Sequence, residues 1–265
     1  MALRPKRSAA RKKRAPQYLS VQLLPLTGIP EICEGDDLAR LIVQAARKQR
    51  AELRQHDILV VAQKILSKAE GRVVRLSSVQ PSARALQLAA ARSKDPRLVE
   101  VILQESRRIV RDDPVLIVET HHGFVCANAG VDASNMEPGQ ITLLPVDPDK
   151  SARRLRARIR QLTGRSPALI ISDTFGRAWR VGQVNVAIGV AGMIPVMDYR
   201  GSVDHFGIPL KVTTIAIADE LASAAELVMG KADGVPAAVA RGVRFRRGRG
   251  NARSLVRQPQ DDLFR

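Results

Sequence analysis

Aromatic residues make up only 3 % of this 265-residue chain, and cysteine occurs just twice. With so few rings, the core has to be built from Leu, Val, Ile and Ala. A base-stacking platform for single-stranded nucleic acid is disfavoured for the same reason. Cys33 and Cys126 stand far apart in a chain without an export signal. They read as buried or free thiols, not as a disulfide or a zinc site. No run of about 18 apolar residues occurs, so no transmembrane helix is expected. The basic N-terminus lacks the apolar stretch of a secretory signal, and a cytoplasmic protein is expected.

Several common site signatures are missing as well. No GxxxxGK run followed by Ser or Thr is present, because Gly230-Lys231 lacks both the upstream Gly and the hydroxyl residue. No GxGxxG follows the first strand-like run. His56, His121, His122 and His205 show neither HExxH nor metal spacing with the cysteines, and they read as structural or exposed. Ser172 lies outside any GxSxG elbow. Standard P-loop, Rossmann, zinc and serine-hydrolase sites are all disfavoured.

Acidic charge is scarce too, with 26 Asp and Glu against 43 Lys and Arg, a net of +17. Most of the excess sits at the ends. Residues 1–14 hold seven Lys or Arg and no acid, and residues 241–265 hold eight Arg against Asp261 and Asp262, leaving only +4 between them. The chain therefore reads as a basic tail over 1–16, one domain over 17–245 and a second basic tail over 246–265. Such tails are expected to be solvated, and to bind nucleic acid only nonspecifically and with strong salt dependence.

Between the tails, strand-like and helix-like runs are mixed without strict βαβ alternation. VQLLPLTGIPEI opens with a strand, and Asp36 or Asp37 caps a helix over LARLIVQAARKQ. HDILVVAQKI suggests a buried strand of about five residues. Residues 82–111 read as mainly helical, broken at Asp95-Pro96. Two strands flank His121-His122-Gly123, and SARRLRARIRQLTG is an amphipathic helix stopped by Gly164. PALIISDTFGR reads as a strand breaking into a polar turn, and ELASAAELVMG as a helix ending at Gly230. The expected fold is α+β (mixed α/β), two-lobed, and neither a standard Rossmann nor a P-loop fold.

Three polar loops are expected after apolar runs: Gly130-Val131-Asp132-Ala133-Ser134-Asn135, Ser172-Asp173-Thr174-Phe175-Gly176-Arg177, and Asp219-Glu220. A carboxylate at a strand end is rigidly placed. It suits Mg²⁺ or Mn²⁺, which take a few carboxylates plus phosphate oxygens and water. Thr174 can add an oxygen ligand beside Asp173. The plainer reading is that these Asp residues cap helices or make Asx turns; recurrence on separate runs favours a site. QKILSKAEG supplies two lysines for phosphate, with a solvated loop as the alternative. Arg177, Trp179 and Arg180 form a cationic and aromatic segment suited either to surface packing or to an anionic substrate.

The segments LPLTGIPEI, QKILSKAEG, NAGVDASN, ISDTFGRAWRVGQVNVAIGVAG, DYRG and ADELASAAELVMGKADGVP closely resemble the coenzyme F420-0:L-glutamate ligase family. The resemblance covers about residues 18–243. It implies GTP-dependent, divalent-metal-dependent addition of L-glutamate to the lactyl-phospho side chain of a deazaflavin, releasing GDP and phosphate. It further implies an intertwined homodimer, two Mg²⁺ or Mn²⁺ ions and an accompanying K⁺. Carried over by position, Asp132, Asp173 and Thr174 are metal ligands, and Asp173 and Lys68 carry the catalysis. Leu24, Pro25, Leu26, Thr27, Gln63, Lys68 and Asn135 surround the nucleotide. The late loop Met229, Gly230, Lys231, Ala232, Asp233, Gly234 and Val235 lines it as well. One family member supplies a metal ligand from that loop, where Gly230-Lys231 offers no obvious ligating side chain.

Two rivals stand beside this reading. One is a metal-dependent enzyme hydrolysing a nucleoside triphosphate, or joining another acid and amino acid. The other is a non-catalytic relative that binds nucleic acid through its tails.

Overall fold

The computed structural model describes residues 20–262, so the basic tail expected over 1–16 lies outside the described residues. The elements run β1 (Gln22–Pro25), α1 (Leu38–Lys48), β2 (Ile58–Ala62), α2 (Gln63–Ala69), β3 (Val73–Arg75), α3 (Ala83–Ala90) and α4 (Pro96–Gln104). Next come β4 (Ser106–Arg111), β5 (Ile117–Thr120), β6 (Val125–Ala127), β7 (Gln140–Thr142) and α5 (Pro148–Thr163). The chain continues through β8 (Ala168–Arg177), β9 (Arg180–Ala191), β10 (Met197–Asp198), β11 (Thr214–Ile215), α6 (Ile217–Met229) and β12 (Ala237–Arg241).

The main sheet has the order β1-β12-β2-β8-β9. Only β2 and β8 run parallel; every other neighbour is antiparallel. Helices and a mixed sheet make the fold α+β, as expected. The sequence of β2 shows why it lies centrally. Ile58, Leu59, Val60 and Val61 form an unbroken apolar run, and all four are fully buried. Burial stabilises by about 1.5–3 kcal/mol for each such side chain, so one charged substitution here would break the sheet. Asp57, buried at its start, accepts from Arg241 at the end of β12, Nη2 to Oδ2 at 2.7 Å. Removing either partner would strand a buried charge.

A second region, residues 73–142, packs around small clusters of its own. Ile102, Leu116, Val118 and Ala129 form one, and Val101, Ile141 and Leu143 another. It contributes the sheet β4-β5-β6 and the pair β3-β7. Its loop after β6 faces the end of β2 in the main sheet, and that junction forms the cleft described below.

Local expectations fare unevenly. Asp37, not Asp36, caps α1, accepting from the Arg40 amide at 3.1 Å. Gly164 stops α5 at φ 68°, a conformation glycine adopts without Cβ strain. The hairpin β5-β6 spans the two histidines; His121 and His122 both bond backbone carbonyls through Nε2. Three readings need correction. QKILSKA is helix α2, not a loop. The helical run expected to reach 111 ends at Gln104, and β4 pairs with β5, whose buried Val118 needs that cover. SDTFGR is no turn, because β8 continues to Arg177 against β9, with register shifts at Ile171/Ser172 and Gly176/Arg177.

The C-terminal stretch also departs from a solvated tail. Arg246 accepts the Ile194 amide at 2.8 Å, and the Gly250 amide donates to Met193. The Ala252 amide donates to Asp149. Among the described residues, no helix is long and apolar enough to cross a membrane.

Candidate active site

The sheet delivers chemistry where β2 and β8 run parallel, with Ala62 beside Ser172 in register. Past that point β2 turns at once into α2. Lys64 and Lys68 then fall one turn apart on the same helix face. Both line an open cleft of about 360 Å³, together with Asp132, Asn135, Asp173 and Thr174.

The second region provides the opposite wall. Asn128 and Ala129 are left-handed, at φ 52° and 56°, and start the turn that leads to Asp132. Asp132 is anchored through its backbone, exchanging hydrogen bonds with Thr142. Its carboxylate accepts from the Ser134 amide and hydroxyl, each at 2.8 Å, in an Asx turn. Lys64 Nζ donates to Asp132 Oδ2 at 2.7 Å and to Ser134 Oγ at 2.7 Å. Burial would raise the Asp132 carboxyl, but the bonds from Lys64 and Ser134 outweigh it and hold the group below the ordinary range. Lys68 donates to the Asn135 carbonyl at 3.0 Å and pairs with Glu31.

Asp173 is the contrasting carboxylate. The residue is only partly buried by surface, yet the protein packed around its carboxyl pushes it up to about 6. Its one hydrogen bond comes from the Thr174 amide, Lys231 and Lys64 act favourably from a distance, and the charge of Asp132 opposes ionisation. Thr174 Oγ1 donates to Asn185 Oδ1 at 2.8 Å, and Asn185 Nδ2 donates to Glu226 at 2.7 Å. Lys231 Nζ donates to Thr174 Oγ1 at 3.2 Å. Buried Cys126 also feels Asp173; burial first, and that charge second, push its thiol to about 12. Both causes favour the protonated thiol.

The donor set suits a hard cation. Two carboxylates and a hydroxyl, all oxygen, face a cleft that also holds an under-neutralised Asp173. Among the described residues no group of three or more His, Cys, Asp or Glu is poised for a metal. Phosphate oxygens and water would have to complete the shell, as Mg²⁺ and Mn²⁺ prefer. The Ser172 hydroxyl, buried and without a hydrogen-bond partner, lies beside the same cleft.

The structure thus brings together most residues singled out from sequence. Gln63, Lys68, Asn135, Asp132, Asp173 and Thr174 share the cleft with Met229, Gly230, Lys231, Ala232, Gly234 and Val235. Leu24, Pro25, Leu26 and Thr27 do not line it. Leu26 is fully buried against β12, Thr27 bonds Gln49, and Ile29 to Ile32 line the cleft instead. Asp233 folds back onto Gly230, where any Cβ would meet Asp233 Oδ2 at 2.0 Å. Arg177, Trp179 and Arg180 sit at the tip of the β8-β9 hairpin, outside the lining. Asp219 is no loop residue: it lies in the first turn of α6, and Oδ1 accepts the Ala187 amide at 2.9 Å.

Sequence reasoning missed Asn185 and Glu226, which reach the cleft only through the β8-β9 register and the last turns of α6. Lys64 stood with Lys68 as one of two candidate phosphate lysines, but only Lys68 was carried into the nucleotide site. The spacing Gln63, Lys64, Lys68 at the end of an apolar strand was the available signal.

A sequence model described as F420-0:Gamma-glutamyl ligase matches residues 28–242. The chain is 47 % identical over 251 residues to the coenzyme F420:L-glutamate ligase of Methanothermobacter thermautotrophicus, covering 93 % of this chain and 100 % of that protein. It is 48 % identical to the Methanopyrus kandleri protein of the same name, covering 93 % and 98 %. The Archaeoglobus fulgidus counterpart is 43 % identical over 93 % of this chain and 97 % of its own length.

Proposed function

The chain belongs to the F420-0:gamma-glutamyl ligase family, and from that premise we propose that it joins L-glutamate to coenzyme F420-0 using GTP. The observation that carries the proposal is that Asp132 and Asp173, from separate regions, line one cleft together with three lysines. Carboxylates ask for a cation and lysines for an anion; a cation-bound triphosphate satisfies both.

A free carboxylate is a poor electrophile for amide formation. Transfer of the terminal phosphoryl group of GTP onto the deazaflavin's carboxylate would give GDP and an acyl phosphate. The glutamate amine then attacks the acyl carbon, the C–N bond forms, and phosphate leaves with the electron pair of the C–O bond. Divalent cations held by Asp132, Asp173 and Thr174 would supply charge neutralisation during phosphoryl transfer. Lys64, Lys68 and Lys231 bring ammonium groups to the triphosphate oxygens. Asn185 fixes the Thr174 hydroxyl hydrogen, leaving the oxygen to accept from Lys231 and to turn its remaining lone pair to the cleft, and Glu226 fixes Asn185.

Exposed apolar side chains support a homodimer. Val181 on the β8-β9 hairpin is 98 % exposed, and Phe206 and Val212 on the following arm are 85 % and 84 % exposed. A subunit contact over the hairpin and the arm would cover them.

The test is direct. Purified protein is incubated with GTP, Mn²⁺, L-glutamate and the glutamate-free coenzyme, and the products are resolved by mass. A deazaflavin heavier by one glutamyl residue, with equal GDP and phosphate, is expected. GTP loss that needs neither deazaflavin nor glutamate would reject the assignment in favour of a hydrolase.

A further inference from the structure

The opposite end of the sheet carries a second concavity, of about 850 Å³. Asp173 lies five residues beyond the start of β8, about 16 Å of strand away, so this groove is separate from the cleft. One wall is α5 with Arg153, Arg156 and Arg160; the other is the C-terminal stretch with Arg249 between Gly248 and Gly250. The lining contains no Asp or Glu. Two acids sit at the start of α5: Asp149 is engaged by the Val190 and Ala252 amides, and Asp147 makes a long, exposed ion pair with Arg153 at 3.9 Å.

Arg156 is built into the groove. Its Nε donates to the Pro167 carbonyl at 2.7 Å and its Nη2 to the Ser166 carbonyl at 3.2 Å. A Cβ on Gly192 would stand 2.5 Å from that Nε, so only glycine leaves room for the guanidinium. All of these partners are neutral, and the charge stays uncompensated. Burial, then Arg247, then Arg160 push Arg156 below its ordinary range. Like charges held this close are relieved by an anion.

The anion's shape follows from the helix. Arg153, Arg156 and Arg160 recur at spacings of three and four, on one face of α5. Seven residues of helix span about 10 Å, a row of like charges that a linear polyanion meets along its length and a single phosphate does not. The lining has no aromatic residue to stack bases and no large apolar residue to enter a bilayer. We propose that this groove binds the phosphodiester backbone of a nucleic-acid strand, without regard to base sequence.

The test uses the full chain and a labelled oligodeoxythymidylate of about 20 nucleotides, followed by fluorescence anisotropy between about 50 and 200 mM NaCl. The comparison is the triple variant Arg153→Gln, Arg160→Gln, Arg249→Gln; Arg156 is kept because it holds backbone carbonyls. Affinity should fall at least about tenfold, and the slope of log K against log salt should shrink by about two, from three lost single-strand contacts. Melting temperature and glutamate ligation should not change. Should the triple variant fold poorly, Arg249→Gln alone should lower the slope by about 0.7. Equal binding and equal slope in a folded variant would overturn the proposal, placing any nucleic-acid affinity elsewhere in the chain. Loss of binding to phosphatidylserine vesicles, with the oligonucleotide indifferent, would overturn it in favour of a lipid surface.

Discussion

Lys64 and Asp132 close the cleft as an ion pair, Nζ to Oδ2 at 2.7 Å, linking α2 of the main sheet to the loop of the second region. The pair joins the group suited to phosphate with the group suited to a cation before either ligand is present. Replacing Lys64 with Met should raise the KM for GTP by about tenfold or more, the scale of a lost charge-assisted bond. The Asp132 carboxyl should then titrate closer to the ordinary range, which NMR of labelled aspartate can follow. An unchanged KM would remove Lys64 from the nucleotide site.

Asp173 should trade stability for function. Its carboxyl is raised to about 6 by burial, above an unfolded value of about 3.9. The native state therefore takes up a proton before the unfolded state does. Ionised Asp173 costs stability above that window, and stability is regained as pH falls from about 6 towards 4. Asp173→Asn should abolish turnover yet stabilise the ligand-free protein at pH 7, on the order of 1–2 kcal/mol after discounting for the open cleft. The difference in melting temperature should vanish near pH 4. Destabilisation at pH 7 would contradict the burial account.

Asp219 gives the opposite pattern. Its bond to the Ala187 amide joins α6 to β9, and burial raises its carboxyl. Asp219→Ala should cost about 1–3 kcal/mol, the penalty of leaving a buried amide unpaired. The folded fraction should keep its turnover at permissive temperature. A variant of full stability but no activity would place Asp219 in the chemistry after all.

The C-terminal stretch should matter for folding, not only for charge. Truncation before Arg246 removes the carbonyl that accepts from Ile194 and one of the two amides that donate to half-buried Asp149. The truncated chain should melt several degrees lower, as expected for a loss of a few kcal/mol. An unchanged melting temperature would mean these contacts carry no net stability.

What could be read from residues alone was uneven, for physical reasons. The strand ILVVA announced itself because both of its faces are buried, so its apolar run is unbroken. Asp132 and Asp173 stood out as acids after apolar runs, and both reach the cleft. QKILSKA misled because seven residues are too few for a clear helical period, and only packing onto β2 makes it a helix. SDTFGR looked like a turn because of its Asp, Thr and Gly, yet the twelve-residue strand β9 pairs alongside and extends it. Asn185 and Glu226 carried no local signal, since they reach the cleft only through the β8-β9 register and the last turns of α6. The arginines of the last 25 residues gave only a net charge; that several of them fold onto α5 depended on long-range contacts with Ile194 and Asp149.

Titration of Mn²⁺ by electron paramagnetic resonance, with a non-hydrolysable GTP analogue present, tests the proposed cation site most directly. Wild-type protein should bind the ion tightly, and Asp132→Asn and Asp173→Asn should each weaken it at least about tenfold, as loss of one carboxylate ligand implies. Undiminished binding of Mn²⁺ and nucleotide in both folded variants would show that these two side chains do not form the centre.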